Sequence, residues 1–414
     1  MHLPSKHWRS LPIAIGLVIF IQGVEYFGWF ASWNGRLFNY ILANATSRSE
    51  QMGSRPIVVV EIDDQDRSRC FGPHPPLNAS RVFNLVAATA AAQPKVIGVD
   101  ILTDDETTMQ IYQSKLASLS QLSPTVVWAS GETSKPDKSF EPAFPAWLMG
   151  ARNDFPVKPT RVLGVEPGEL SEYPQITWAI PVYPTDEGTS IRRLPRWIWA
   201  SADPQNSERR EWERTWPRVI AEAFCNGPCT EEAADEIYIT YGGTAPRCFL
   251  MRDLAACGEG DRVQTGNSSW NDFQSVAKGN IVLIGGIFHD SGDFHRTPLG
   301  LSTPGIIVNA YAVKAELLGN GLRDVRQPLA WMLDLLFGIV IIAFFNKETF
   351  RKLIGLKNPW LQTKPGMFLI GILFALAVCL ASRWVAGGRY LLGFAGVSVG
   401  LLLHELWELL KKDE

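Results

Sequence analysis

Four long apolar runs do most to limit how this chain can fold. They cover about residues 11–33, 328–345, 367–385 and 390–410. A run of roughly 20 apolar residues is long enough to cross the hydrocarbon core of a bilayer as a helix. A cleaved signal peptide would also account for the first run, but the nearest small-residue cleavage pattern, Ala43-Asn44-Ala45, lies too far downstream. We therefore predict four transmembrane α-helices.

Basic residues orient these predicted spans. Loop 346–364 is rich in lysine and arginine, and both ends of the chain also carry basic residues. Short basic loops stay in the cytoplasm, so this loop and both termini are expected inside. The predicted domains are a cytoplasmic N-terminus with one span at 1–33, an extracytoplasmic domain at 34–327, and a three-helix transmembrane bundle at 328–414.

The predicted outer domain alternates strands with helices. A β-branched run that begins at Ile57 and ends in two aspartates predicts a buried strand, and residues 96–101 and 280–285 predict two more. Asn78 or Ser80 is expected to cap a helix between the first two strands, which gives a crossover long enough for parallel pairing. The fold class is therefore α/β, with a mixed, largely parallel sheet flanked by helices.

The remaining elements are predicted less directly. Proline-rich residues 136–184 are expected to be insertions around the sheet. Residues 208–224 predict a helix, in which Pro217 either introduces a kink or begins a second helix. Further strands are predicted at 125–129, 191–200 and 236–241, and further helices at 107–119 and 305–318.

Polar residues follow three of the predicted strands. Asp63 and Asp64 follow the first, Asp100 ends the second, and His289 and Asp290 follow the last, with Asp293 and His295 beyond them. In open α/β sheets, ligands bind at the carboxyl ends of the strands, so these groups would form one rim if the strands are neighbours. Three interpretations stay open, namely turn and helix caps, a ligand pocket, and a metal or hydrolytic site.

Sequence motifs give no support to an enzymatic function. The chain has no Walker-type phosphate loop, no nucleophile elbow, no metalloprotease motif and no kinase signature. We expect neither catalysis nor a cofactor. A net charge of −3 also gives no reason to expect nucleic-acid binding.

Five of the six cysteines fall in the predicted outer domain, where disulfides are allowed. The local pairings that we predict are Cys225–Cys229 and Cys248–Cys257, although sequence does not fix connectivity. A zinc site is disfavoured because these spacings do not match the usual two-residue knuckles.

Four short patches carry a resemblance to a known family. They are residues 58–64, residues 96–102, Asp186-Glu187-Gly188 with 191–195, and 279–285 with Thr297-Pro298-Leu299-Gly300, 304–305 and 309–310. In this order, and with one predicted span before them and three after, they resemble the CHASE sensor family of the second type, extracytoplasmic domains of bacterial signalling receptors. One departure is Asp186-Glu187-Gly188-Thr189-Ser190, where the family usually has Asp-Gly.

The resemblance implies a sensor subunit in a bacterial inner membrane, with its central domain periplasmic or extracellular. It adds Arg192 and Arg193 to the candidate ligand-binding residues. Family members usually continue into an output domain, whereas only a few residues follow the last predicted span here, so a separate cytoplasmic effector protein is expected. The alternative is a membrane scaffold or a pore-forming effector component with a non-sensing outer domain.

Two acidic residues inside the predicted spans complete the set of candidates. Glu25 and Asp334 fall at similar depth in the outer leaflet, where burying a charge is costly. They either pair with nearby arginines and couple the outer domain to the bundle, or reach towards water. The expected partners are an unknown extracytoplasmic ligand, the effector and the lipid bilayer, and a homo-oligomer is left open.

Overall fold

The fold is described from a computed structural model. In it the chain divides into two compact units. The larger unit is Ile41–Gly321, and the smaller unit combines Met1–Tyr40 with Leu322–Glu414. The residues that the structure describes are 42–43, 57–72, 76–131, 161–181, 191, 193–201, 210–229, 236–242, 244–254, 268–318, 323–324 and 390–391.

The predicted spans lie outside the described residues, except for Tyr390 and Leu391 at the start of the last run, and so do Glu25 and Asp334. Among the helices that are described, none combines the length and the apolar character that a bilayer crossing requires.

The regular elements follow one another from Ile57 onwards. The strands are β1 (Ile57–Ile62), β2 (Val96–Asp100), β3 (Thr125–Ala129), β4 (Ile176–Ala179), β5 (Arg193–Pro195), β6 (Trp197–Ser201), β7 (Arg210–Arg214), β8 (Glu236–Tyr238), β9 (Arg247–Leu250), β10 (Ile281–Gly286), β11 (Phe294–Thr297), β12 (Gly300–Pro304), β13 (Arg323–Asp324) and β14 (Tyr390–Leu391). The longer helices are α1 (Ala79–Ala91), α2 (Glu106–Leu119), α3 (Trp216–Cys225), α4 (Ser268–Ala277) and α5 (Gly305–Leu318). Shorter helical turns are Asp64–Asp66, the π-helical Arg67–Phe71, and the 3-10 turns Pro167–Glu172, Met251–Asp253 and His289–Ser291.

A six-stranded sheet with the order β4-β3-β2-β10-β1-β9 organises the larger unit. Each of its pairings is parallel. Alternate residues of β1 point to opposite faces: Val58 and Val60 pack in the core with α1, α2 and α4, and Ile57 and Val59 pack in the core with α3 and α5. Helices on both faces explain why the central strands are continuous apolar runs. The predicted α/β fold is confirmed.

Several strands and helices differ from the prediction. β4 joins the main sheet although residues 136–184 were expected to surround it, and β9 was not predicted. The predicted 191–200 strand divides at Arg196 into β5 and β6, which pair with β8 and β7 in separate ribbons. The predicted 208–224 helix is wrong in its first part, which is strand β7. Pro217 lies in the first turn of α3, where its missing N–H is no loss.

Helix α5 is buried on two sides. Its Ile306 and Val313 pack in the core with the sheet, and its Val308 and Tyr311 pack with residues of β5 and β8. The helix approaches β10 closely at Gly285, where an added Cβ would lie 2.8 Å from the Ile306 side chain. The fold therefore holds α5 between the sheet and a β-ribbon, with its first turn at the carboxyl edge.

The disulfide prediction is half right. Cys225 and Cys229 form a disulfide at the end of α3, as predicted. Cys70 is also disulfide-bonded. Cys248 is a free, exposed thiol, so the predicted Cys248–Cys257 pairing is wrong. The side chain of Cys248 lies instead on edge strand β9 beside Glu61 of β1.

The smaller unit contains one described pair of strands. Arg323–Asp324 of β13 pairs in parallel with Tyr390–Leu391 of β14. The topology prediction places both of these segments at the outer face of the membrane.

Candidate functional site

The strands that carry the predicted polar rim are neighbours in the sheet. β10 lies between β2 and β1, and all three run parallel, so Asp100, Gly286 and Asp63 lie at the same edge. On the far side of β1, strand β9 brings Arg252 to this edge just after its last residue. The carboxyl edge therefore contains the acidic residues that the sequence predicted, and also Arg252, which it did not predict.

Asp63 acts as a helix cap and as an ion-pair partner. Its Oδ1 accepts a hydrogen bond of 2.8 Å from the Asp66 N–H, and its Oδ2 pairs with Arg252. Burial raises the pKa of Asp63, but the hydrogen bonds from Arg252 and from the Asp66 N–H outweigh burial and lower that pKa overall. The neighbouring Asp66 is buried close to the Asp63 charge, and both effects raise the Asp66 pKa. Of the three interpretations, capping is therefore what the geometry shows at Asp63.

The segment after β10 is tied to the helical turn after β1. Arg67 donates a 2.6 Å hydrogen bond to Asp290, and its guanidinium lies 5.1 Å from the centre of the Phe288 ring. The main-chain N–H of His289 donates to Asp64 Oδ1 at 3.0 Å. Asp64 and Asp290 thus hold the rim together, and His289 contributes its backbone to that contact.

A second group of polar residues lies where α5 begins. We call Asp100, Asp293, His295 and Asn309 the Asp100 cluster. Asn309 donates a 2.7 Å hydrogen bond from Nδ2 to Asp100 Oδ2. Asp293 Oδ1 lies 2.7 Å from His295 Nε2, and the Asp293 main-chain oxygen accepts from the Gly305 N–H at 2.8 Å. The cluster connects the end of β2 with the first turns of α5.

The electrostatic environment of Asp100 differs from that of Asp63. Burial, followed by the nearby charge of Asp293, raises the pKa of Asp100 to about 7, against opposing contributions from Asn309 and His295. Two close carboxylates cannot both ionise easily, so one of them keeps its proton to a higher pH. Asp100 can therefore gain and lose a proton near neutral pH.

A buried ion pair lies further along α5. Arg196 Nε contacts both carboxylate oxygens of Glu316, at 2.9 and 3.1 Å, and the two side chains are only 4% and 3% exposed. Burial raises the pKa of Glu316, although Arg196 and the nearby Arg218 act in the opposite direction. Arg218 in turn donates to Glu222 on α3 at 2.7 Å. The Arg196–Glu316 pair thus joins α5 to the β5–β6 segment, and Arg218 of α3 adds a positive charge near Glu316.

The other predicted site residues lie apart from this edge or outside the description. Arg193 is in β5, which pairs with β8 and not with the main sheet, and Arg192 lies outside the described residues. Within the described ranges, no three or more His, Cys, Asp or Glu residues are arranged to hold a metal ion. Sequence reasoning missed Arg252 and Arg67, which no motif marks. Asn309 belonged to a patch that carried the family resemblance, but its contact with Asp100 was not predicted.

Fold and site together define the class: an α/β domain with a parallel sheet covered on both faces and a polar carboxyl edge connected to its last helix. The family model for the CHASE2 domain matches residues 13–345, and the chain belongs to that family. CHASE2 domains are extracellular sensory domains rather than catalytic ones, and the resemblance seen in the sequence is confirmed. Among curated proteins and among solved structures, none matches this chain.

Proposed function

We propose that this chain is a membrane-bound sensor subunit. Its larger unit binds a ligand outside the cytoplasm, at the carboxyl edge of the sheet. The change that follows passes through α5 to the predicted transmembrane segments and then to a cytoplasmic effector protein. Membership of a sensory family supports the role in general.

The observation that carries the proposal is the hydrogen bond between Asn309 and Asp100. It joins the carboxyl edge, where ligands of α/β sheets bind, to α5. Along the sequence, α5 is followed by the predicted span at 328–345. A ligand that competes for the Asp100 carboxylate would replace this contact and change what holds the first turns of α5. A ligand can shift a conformational equilibrium only through such differential contacts.

The chemistry of the edge favours a ligand that donates hydrogen bonds. Asp100 and Asp293 offer carboxylate oxygens, while Asp63 and Asp290 are already engaged by Arg252 and Arg67. Amines and hydroxyl-rich compounds supply donors of this kind.

The test uses the full chain in lipid nanodiscs and a panel of small primary amines and polyols. At least one class should raise the melting temperature and change the rate of hydrogen exchange in residues 305–318. Asp100→Asn should remove both effects. Asp272→Asn, which alters an exposed aspartate paired with Arg247, should preserve them. Compounds that stabilise the Asp100→Asn variant equally well, or that leave exchange in α5 unchanged, would contradict the proposal.

A further inference from the structure

The Asp100 cluster brings titratable groups together at the start of a buried helix. Asp100 reaches this point from β2 and Asn309 from α5, while Asp293 and His295 come from the segment entering β11. Among the described residues, the charged groups that act on Asp100 are Asp293 and His295. Its register partner on the neighbouring strand β10 is Gly285, which has no side chain.

Asp293 is in direct contact with the first residue of α5. Besides the hydrogen bond from the Gly305 N–H to its main-chain oxygen, its carboxylate lies against the Gly305 α-carbon. A Cβ added at Gly305 would clash with the Asp293 carboxylate. His295 holds the other carboxylate oxygen. A displacement of Asp293 is therefore also a displacement of the first turn of α5.

We propose that the Asp100 cluster is a proton-operated latch, which holds the first turn of α5 against the carboxyl edge and releases it when Asp100 ionises. A neutral Asp100 faces a single carboxylate, that of Asp293, and the Asn309 amide can donate to Asp100 in either protonation state. An ionised Asp100 places a second negative charge near Asp293 in a partly buried site, where repulsion is poorly screened. The raised pKa of Asp100, about 7, puts this change near neutral pH.

The latch rests on the proposed sensory function. It adds that the stimulus is the proton concentration outside the cytoplasm. Helix α5 is well suited to respond as one body, because it packs on the sheet at Ile306 and Val313 and on the β5–β8 ribbon at Val308 and Tyr311. Packed elements of this kind move between discrete arrangements rather than deform continuously.

Hydrogen exchange of the full chain in nanodiscs, corrected for the intrinsic effect of pH, tests the latch. Between about pH 5.5 and about pH 8.5, exchange in residues 305–318 should accelerate roughly tenfold in the wild-type chain. Asp100→Asn keeps a neutral oxygen for Asn309, so exchange should stay slow at both pH values. Asp272→Asn, a change at an exposed ion pair, should behave like the wild type.

Asp293→Asn provides a second test, which remains informative if Asp100→Asn does not fold. Infrared difference spectra should show a protonated carboxyl band that disappears near pH 7 and is missing in Asp100→Asn. In Asp293→Asn that band should disappear at lower pH, because the repelling charge is gone. Equal exchange of α5 at both pH values in the wild type, or a pH effect that survives Asp100→Asn, would overturn the latch. If a compound changes hydrogen exchange in α5 but pH does not, the latch is refuted and the ligand site is kept. If pH changes that exchange but no compound binds, the ligand site is refuted and the latch is kept.

Discussion

Asp63 and Asp100 each come at the end of an apolar strand, yet their surroundings give them different roles. Asp63 turns back to cap the following helical turn and pairs with Arg252. Asp100 is held by one amide and faces a second carboxylate. The sequence placed both at the rim, but the partners that distinguish them lie 189 and 209 residues away along the chain.

Removing the Asp63 side chain should destabilise the larger unit. Asp63→Ala loses a helix cap, which typically costs about 1 kcal/mol, and also loses the pairing with Arg252. Asp63→Asn keeps a capping oxygen, so it should recover part of the loss. Urea unfolding of the full chain in micelles, followed by circular dichroism, measures both variants. Equal stability of Asp63→Ala and the wild type would show that the cap contributes nothing.

The stability of the larger unit should depend on the protonation of Asp100. Folding raises the Asp100 pKa from 3.8 to about 7, so the folded state binds more protons than the unfolded state between these values. The contribution of Asp100 is therefore complete below about pH 4 and is lost as the pH rises towards 7. Melting temperatures taken across this interval should fall less steeply for Asp100→Asn than for the wild type. A slope that is unchanged by Asp100→Asn would contradict the assignment.

At the scale of elements, α5 depends on a buried charge that was not anticipated. Glu316→Gln should destabilise the fold by about 3–5 kcal/mol, because Arg196 would lose its buried carboxylate partner. Glu166→Gln breaks the exposed Arg161–Glu166 pair, whose side chains are 52% and 44% exposed, and should cost at most about 1 kcal/mol. Urea unfolding compares the two variants. If both variants lose a similar free energy of unfolding, burial of the Arg196–Glu316 pair does not increase its contribution to stability.

The success of sequence reasoning for each element depended on how local its signal is. Strand β3 and helix α5 match the predicted 125–129 and 305–318, because apolar runs with clear ends specify them. The ribbon strands β6 and β7 depend on pairing with each other, so residues 208–214 alone read as helix. Strand β9 is short and lies at the edge with its first two residues exposed, so it lacks the apolar run of a central strand.

For the whole molecule, family membership supports a sensory domain, and we propose that the larger unit senses conditions outside the cytoplasm. Leu299 offers a direct test of this placement, because it is 46% exposed in the turn between β11 and β12. Cys248, the free thiol among the described residues, is removed by Cys248→Ser, and that variant alone measures the background labelling. Desolvation and the neighbouring Glu61 raise the pKa of Cys248 to about 12, so the native thiol would itself be a poor probe.

The decisive measurement is labelling of Leu299→Cys, in the Cys248→Ser background, with a maleimide that does not cross membranes. Intact cells expressing the full chain are compared with permeabilised cells. We expect equal labelling in both, since the turn would face the outside. Labelling that appears only after permeabilisation would place the larger unit in the cytoplasm and contradict an extracytoplasmic sensory role.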